Sequence, residues 1–203
     1  MLKILSKLII LSLVICCLWT AITAVRDKHV LSEGLIRLHV VADSNEEEDQ
    51  NIKLQVRDAV LSAVQELSSF QTVEDASAFL NENLSALEDA ANEVLTNAGV
   101  TERAKVTLCR EEFPVRYYES FKLPSGVYES LKVTIGSGEG RNWWCVVFPK
   151  LCVGAATEAF RDAAVSAGFS DRLTRTISND AAYEISFFFL DCLGRLENFF
   201  HFR

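Results

Sequence analysis

Histidine is the side chain best suited to proton transfer near neutral pH, and this 203-residue chain has three: His29, His39 and His201. His39 lies in a β-branched stretch that ends at Asp43. In a strand these two residues share a face but lie about 13 Å apart, which is too far for a catalytic dyad. The spacing favours a hydrogen-bonded structural histidine, so no catalytic residue is assigned.

The sequence offers no motif for other kinds of catalysis. GxSxG, HExxH and Walker lysine motifs are absent. The glycines Gly136, Gly138 and Gly140 lack the lysine and the following helix of a phosphate-binding loop. No CxxC pair is present, which argues against a zinc site. We therefore expect neither a metal nor a cofactor.

The chain is acidic, with 28 Asp and Glu residues against 20 Lys and Arg residues. An acidic surface gains nothing from counterion release, so nucleic acid is not an expected partner. The composition, 49% hydrophobic and 24% charged, is that of a packed globular protein.

The N-terminus has the pattern of an export segment. Lys3 and Lys7 precede an uncharged apolar run, Leu8–Val25. This order places the following domain outside the cytoplasm. Residues 1–25 are predicted to be a signal peptide or a membrane anchor, with membrane contact through this segment if it is not cleaved. Cleavage after Ala24 stays open, because Ile22 is larger than a signal peptidase site prefers.

Export makes disulfides relevant. Four cysteines lie beyond the apolar run, and three pairings of Cys109, Cys145, Cys152 and Cys192 are possible. Cys145 and Cys152 are the nearest pair in sequence, and Pro149 could reverse the chain between them. Reduced, buried thiols are the alternative.

Hydrophobic periodicity predicts one strand and two long helices in the first half. The strand is Leu35–Val41. Ser44 and Glu47 have the spacing of a capping box, and apolar residues at helical spacing follow as far as Leu67. A second amphipathic helix is predicted over Thr72–Ala98.

Strands dominate the next part. They are predicted over Lys105–Arg110, Val115–Tyr118, Gly126–Ile135 and Asn142–Phe148. The glycines at 136–140 indicate an antiparallel hairpin between the last two. We predict a single α+β domain over residues 30–203, with two long helices packed on one face of a mostly antiparallel sheet.

The C-terminal third is less regular. Residues 154–182 are predicted to form a peripheral excursion with a weak helix. The hydrophobic tail, 183–203, holds six of the thirteen phenylalanines and is predicted to pass from a strand into a helix that closes the core. An exposed aromatic patch for a membrane or a partner is the alternative.

The block that begins at Trp143 is predicted to be structural. Its residues alternate between two apolar faces, with Trp144, Val146 and Phe148 on one and Trp143, Cys145 and Val147 on the other. A strand that is apolar on both faces should be covered on both sides.

Two stretches, Ile36–Leu61 (IRLHVVADSNEEEDQNIKLQVRDAVL) and Gly136–Cys152 (GSGEGRNWWCVVFPKLC), resemble the stage II sporulation protein R family. The resemblance is most specific in one motif: Asn142, Trp143, Trp144, Cys145, Phe148, Pro149 and Cys152. It implies a protein made in the forespore and exported into the space between forespore and mother cell. There it would activate a membrane-embedded aspartic protease that processes the mother cell's pro-sigma factor.

Such a protein would be an activating ligand rather than an enzyme. One alternative is an exported enzyme, such as a cell-wall hydrolase that uses acidic residues. Another is a structural protein of the intermembrane space.

The polar segment Asp43–Gln50 lies between a predicted strand and a predicted helix, and it falls within the family-like stretch. A loop held by two rigid elements is a common place for recognition residues. We predict that Asp43, Asp49 and Arg57 contribute to partner binding. The alternative is that this segment only caps the helix.

Overall fold

The computed structural model describes residues 2–64, 70–149, 157–166, 168–178 and 184–201. The helices are α1 (Leu2–Glu33), α2 (Glu47–Ala63), α3 (Val73–Glu82), α4 (Leu84–Asn97), α5 (Thr157–Ser166), α6 (Asp171–Ile177) and α7 (Glu184–His201). The strands are β1 (Ile36–Val41), β2 (Ala104–Phe113), β3 (Arg116–Tyr117), β4 (Lys122–Leu123), β5 (Gly126–Ile135) and β6 (Asn142–Phe148). The predicted α+β class is confirmed.

The main sheet has four strands in the order β2-β5-β1-β6. β1 is parallel to β5 and antiparallel to β6, and β2 is antiparallel to β5. The sheet is therefore mostly antiparallel, as predicted. The predicted hairpin between β5 and β6 is wrong, because β1 lies between them. The glycine-rich turn instead crosses the end of β1, which separates its two neighbours by about 10 Å.

One face of the sheet is covered by α2, α3 and α4. Their apolar residues, including Val56, Leu80 and Leu95, form a core with Leu38 and Val133 of the sheet. The predicted start of the second helix is confirmed, since the Thr72 side chain accepts a hydrogen bond from the Asp75 amide.

The single helix expected over Thr72–Ala98 is wrong. The chain leaves helical geometry at Asn83, where φ is −108° and ψ is 11°. The Asn83 side-chain amide donates to the carbonyl oxygen of Phe79 at 2.8 Å. Asparagine competes in this way for backbone groups, so it favours helix ends over helix interiors.

The other face is covered by the last turns of α1 with α5, α6 and α7. Helices thus cover both faces of the sheet, whereas the sequence predicted helices on one face only. This second core includes Leu31, Leu35, Phe113, Phe121, Tyr128, Val146, Phe160, Leu173, Ile177 and Leu190. The described part of residues 154–182 therefore supplies buried side chains to it. The strand expected at the start of the tail is wrong at Phe187, Phe188 and Phe189, which are helical.

The residues from Trp143 to Val147 alternate between the two cores as predicted. Phe148 does not follow the pattern. Ile36 pairs with Phe148 whereas Arg37 pairs with Val146, so β6 has a bulge at this point. The extra residue turns Phe148 toward the α2–α4 side.

α1 is one continuous helix that leaves the body at its N-terminal end. It is long and apolar enough to cross a membrane, judged by length and composition. Its apolar side chains from Ile4 to Ile22 are exposed, whereas Ala24 and Leu31 belong to the second core. The apolar segment thus continues directly into the body.

α7 packs closely against the start of β5 and the residue before it, Ser125. The carboxylate of Asp191 accepts hydrogen bonds from the Ser125 amide at 2.9 Å and the Ser125 hydroxyl at 2.6 Å. One helical turn further on, a Cβ atom at Gly194 would overlap the carbonyl oxygen of Ser125. Only glycine allows this helix to approach so closely.

We expect Gly194→Ala to destabilise the protein by about 1–3 kcal/mol, because the added methyl group forces α7 away from Ser125. Thermal unfolding of the purified chain measures this. Cys192→Ala, an exposed substitution on the same helix, is the control and should leave the midpoint unchanged. Equal midpoints for both variants would contradict the close packing of α7.

Candidate partner-binding site

The candidate site lies at the end of β1, where the turn from β5 to β6 crosses it. The amides of Glu139 and Gly140 donate to the carbonyl oxygens of Asp43 and Ala42, at 3.1 and 2.9 Å. The Ser137 amide donates to the Asp43 carboxylate. Asp43 thus holds the turn in place.

Ser44 connects this turn to the start of α2. Its hydroxyl accepts a hydrogen bond from the Glu46 amide at 3.1 Å and donates to the carboxylate of Asp49. The predicted capping box with Glu47 is wrong, because the N-cap residue is Glu46, whose side chain makes no cap bond. Ser44 bonds two residues ahead, as in a serine turn, and so lies too early in the chain to cap the helix.

α2 carries a second anchor in Lys53, which is 5% exposed. Its ammonium donates to the Gln50 side chain at 2.7 Å and to the carbonyl oxygen of Arg141 at 3.0 Å. Burial, with Arg141 and Arg57 nearby, lowers the pKa of Lys53. This lysine ties α2 to the beginning of β6.

Two of the three predicted binding residues, Asp43 and Asp49, lie in the same loop, whereas Arg57 lies about 12 Å further along α2. Asp49, Lys53 and Arg57 are spaced by four and share one face of α2. The carboxylates of Asp43 and Asp49 are joined to the same loop through Ser137 and Ser44. The Arg57 guanidinium lies 4.9 Å from the centroid of the Trp143 ring. Whether these residues bind a partner stays a prediction.

The most exposed acids of the loop are a different set. Glu46, Glu47 and Glu48 are exposed, as is Glu139 in the facing turn. Because Asp43 and Asp49 use their carboxylates within the loop, the exposed glutamates are the groups free to meet another molecule. The helix dipole stabilises negative charge at this position. We call Glu46, Glu47, Glu48 and Glu139 the acidic surface.

His39 belongs to a separate polar cluster on the second face of the sheet. Its Nδ1 lies 2.9 Å from Glu111 Oε1, and its Nε2 lies 2.8 Å from Asn142 Oδ1. Lys132 donates to the other oxygen of Glu111 at 3.0 Å. Both ring nitrogens are engaged, which supports a structural role. The expected hydrogen bonding of His39 is present, at a central strand instead of a sheet edge.

Glu111 is ionised although it is largely buried. Burial acts to raise its pKa, but hydrogen bonds from His39, Ser130 and Lys132 outweigh burial and lower the pKa to about 2. No local sequence pattern points to Glu111, because 72 positions separate it from His39.

The family-like motif that runs from Asn142 to Cys152, called the tryptophan motif below, has an arginine contact at Trp144 and a disulfide at Cys145. The Arg116 guanidinium lies 3.5 Å from the centroid of the Trp144 ring. Cys145 is disulfide-bonded and buried. Its predicted partner, Cys152, lies outside the described residues, so that pairing stays a prediction. Pro149 is buried in a turn after a cis bond from Phe148.

Among the residues that the structure describes, no three His, Cys, Asp or Glu side chains are grouped so as to hold a metal ion. The free thiols described are Cys16, Cys17, Cys109 and Cys192.

The family model for stage II sporulation protein R matches residues 32–158, from the end of α1 to the start of α5. The chain belongs to the stage II sporulation protein R family. It is 32% identical over 124 residues to the stage II sporulation protein R of Bacillus subtilis (strain 168). That match covers 61% of this chain and 55% of the relative, so it spans little more than half of the relative's length. No solved structure matches the chain.

Membership of the stage II sporulation protein R family gives the chain a role in sporulation. The matched residues include the whole loop at the end of β1, the tryptophan motif up to Cys152 and the Glu111 cluster. α6 and α7 lie beyond the match.

We expect Asp43→Ala to destabilise the protein by about 1–3 kcal/mol, because it leaves the Ser137 amide without its acceptor. Hydrogen exchange of the Ser137 amide should become faster, and thermal unfolding should occur at a lower temperature. Asn45→Ala, an exposed substitution in the same loop, is the control. An unchanged exchange rate at Ser137 would contradict the role of Asp43 in holding the turn.

A second prediction concerns acid stability. The pKa of Glu111 is lower in the folded protein than its ordinary value of 4.5, so its carboxylate stabilises the fold above that pH. This contribution is lost as the pH falls from about 4.5 to about 2. Glu111→Gln should therefore cost about 2 kcal/mol at pH 7 and flatten the fall in stability over this range.

Chemical denaturation at a series of pH values measures both effects. Glu93→Gln, which alters an exposed glutamate of α4, should retain the wild-type profile. If Glu111→Gln had the same acid profile as the wild type, the network around His39 would not be holding a charged carboxylate.

Proposed function

We propose that this protein is the intercompartmental signal of sporulation that the family resemblance implies. In this proposal it is exported from the forespore into the space between the two membranes. There it activates a membrane-embedded aspartic protease that processes the mother-cell pro-sigma factor. Membership of the family and the exposed apolar part of α1, which suits export, support this role.

The observation that carries the proposal is the fixed acidic loop at the end of β1. Hydrogen bonds from Ser137, Glu139 and Gly140 attach it to the neighbouring turn, and Lys53 anchors the following helix. A preorganised loop loses little conformational entropy on binding. Such a surface suits recognition of a protein that presents basic side chains.

Within this surface, the predicted residues have different roles. Asp43 and Asp49 position the loop through Ser137 and Ser44, and the exposed glutamates face the partner. Arg57 lies against Trp143 and pairs with Asp58, more than two turns further along α2, where it presents a planar cation of its own. Arginine beside an aromatic ring is a frequent anchor in protein interfaces.

Activation requires that the ligand bind the active state of the protease more tightly than the resting state. A shift from 1:99 to 99:1 needs about 5.5 kcal/mol of difference in binding free energy. Several charge contacts to a rigid loop are a suitable source, because truncating one partner of a buried charge pair typically costs about 2–5 kcal/mol.

The carboxyl groups of the candidate site and of the His39 cluster do not suit a glycoside hydrolase mechanism. A general acid in such an enzyme needs a carboxyl group with a raised pKa. Glu111, the most buried carboxyl of the polar cluster, has its pKa lowered to about 2. Asp43 and Asp49 are occupied by hydrogen bonds within the loop.

Co-expression with the candidate protease and its pro-sigma substrate in a non-sporulating host tests the proposal. The wild-type chain should induce cleavage of the substrate. The triple variant Glu46→Gln, Glu47→Gln, Glu48→Gln should strongly reduce cleavage while the purified protein keeps its unfolding midpoint. Asp43→Asn and Asp49→Asn should reduce both cleavage and stability, because they act on the position of the loop.

The matched control removes three exposed acids elsewhere: Glu82→Gln, Asp89→Asn and Glu93→Gln, all on α3 or α4. This control changes the net charge by the same amount. With it, the protease should cleave the substrate at the wild-type level. Equal cleavage by both triple variants would remove the acidic surface from the interface. Absence of cleavage with the wild-type chain, when the protease is active with its own activator, would overturn the proposed function.

A further inference from the structure

The outward side of α7 is apolar. Its exposed side chains on that side are Phe188, Phe189, Cys192, Leu196, Phe199 and Phe200. At 3.6 residues per turn they cover about 120° of the helix, with Cys192 near the centre and no charged residue among them. We call this set the aromatic stripe. The inward side buries Phe187 and Leu190 together with Asp191, which bonds Ser125.

Exposed apolar patches of this kind mark contact with a protein or a membrane. The position of α7 in the molecule distinguishes between the two.

α7 packs against α1 just where the exposed apolar segment ends. The segment Ile4–Ile22 is about 28 Å long at 1.5 Å per residue, close to the roughly 30 Å of a bilayer's hydrocarbon core. Lys28 pairs with Glu197 of α7. Lys28 lies about 9 Å along the helix axis beyond Ile22.

This distance places the part of α7 around Glu197 at the level of the lipid headgroups. Each headgroup layer is about 5–8 Å thick, and a helix with its side chains has a radius of about 5 Å. Val25 and Val30 on α1 are also exposed, so apolar surface continues from the spanning segment to the contact with α7.

We propose that α7 lies at the surface of the membrane that α1 spans, with its aromatic stripe inserted among the lipids. The proposal rests on insertion of α1, as in the proposed export, and is independent of protease activation. Bulky aromatic side chains are suited to helices that lie in this interface. Arg195 at the border of the stripe and Arg26 beyond the span are exposed and lie where phosphate groups would be.

The test uses the full chain in phosphatidylcholine vesicles, with a polarity-sensitive fluorophore attached to one thiol at a time. The described free thiols other than the labelled one are replaced by serine, and the label is added without reductant to preserve the disulfide of Cys145. Probes are placed at Cys192 in the stripe, at Cys17 in the span, and at Asn97→Cys on α4. Quenching by lipids that carry a doxyl group near the headgroup is then measured.

We expect the Cys17 and Cys192 probes to lose most of their emission to lipid quenching and the Asn97→Cys probe to lose none. The Cys192 emission should also shift to shorter wavelength on addition of vesicles. If the Cys17 probe is quenched and the Cys192 probe is not, α7 faces water or another protein and the proposal is wrong. If neither probe is quenched, α1 is not inserted in the membrane, and the proposed position of α7 is wrong as well.

A pair of variants separates insertion from folding. Phe188→Ser with Leu196→Ser should abolish quenching at Cys192, whereas Phe188→Met with Leu196→Met should retain it. Both side chains point outward, so circular dichroism should be unchanged in both variants. Retained quenching in the serine variant would show that the stripe does not hold the helix at the membrane, and would overturn the proposal.

Discussion

β1 is hydrogen-bonded along both edges and covered on both faces, so its side chains have almost no contact with water. On one face this places Leu38 and Val40 in the core under α2 and α4. On the other face it buries Arg37 completely and leaves His39 9% exposed. Polar groups can be buried at tolerable cost only where partners are supplied.

The second core supplies such partners in part, since Nε and Nη1 of Arg37 have no hydrogen-bond partner among the described residues. The Arg37 guanidinium donates to the Tyr118 hydroxyl at 3.0 Å and lies 4.0 Å from the centroid of the Phe113 ring. His39 contacts Asn142 of the neighbouring strand β6 and Glu111 of β2, which lies beyond β5 on the other side. The helices of the second face therefore cover a sheet surface that is already linked by polar contacts, and the end of β1 is held firmly where the candidate site begins.

Local patterns in the sequence predicted most of the helices and strands. They could not predict which strands pair, because pairing joins residues that are far apart in the chain. The periodicity of α2 and the β-branched stretch of β1 are local signals, and both elements formed. The glycine-rich turn at 136–140 carries the same local signal whether its strands are neighbours or flank a third. Insertion of β1 depends instead on a parallel pairing that joins Ile36 to Glu129. The bonds from Asp43 to Ser137 and from His39 to Glu111 depend on the same pairing, so spacing along the chain could not predict them.

α1 has consequences for how the body can move. The helix runs from Leu2 to Glu33 without a glycine or a proline, and its last turns are part of the second core. α1 therefore has no hinge of its own between the apolar segment and the second core. Once that segment is fixed in a bilayer, the loop at the end of β1 is held at one height and one tilt. The loop then has a fixed distance from the membrane, and it can contact only a partner whose complementary surface projects to the same height.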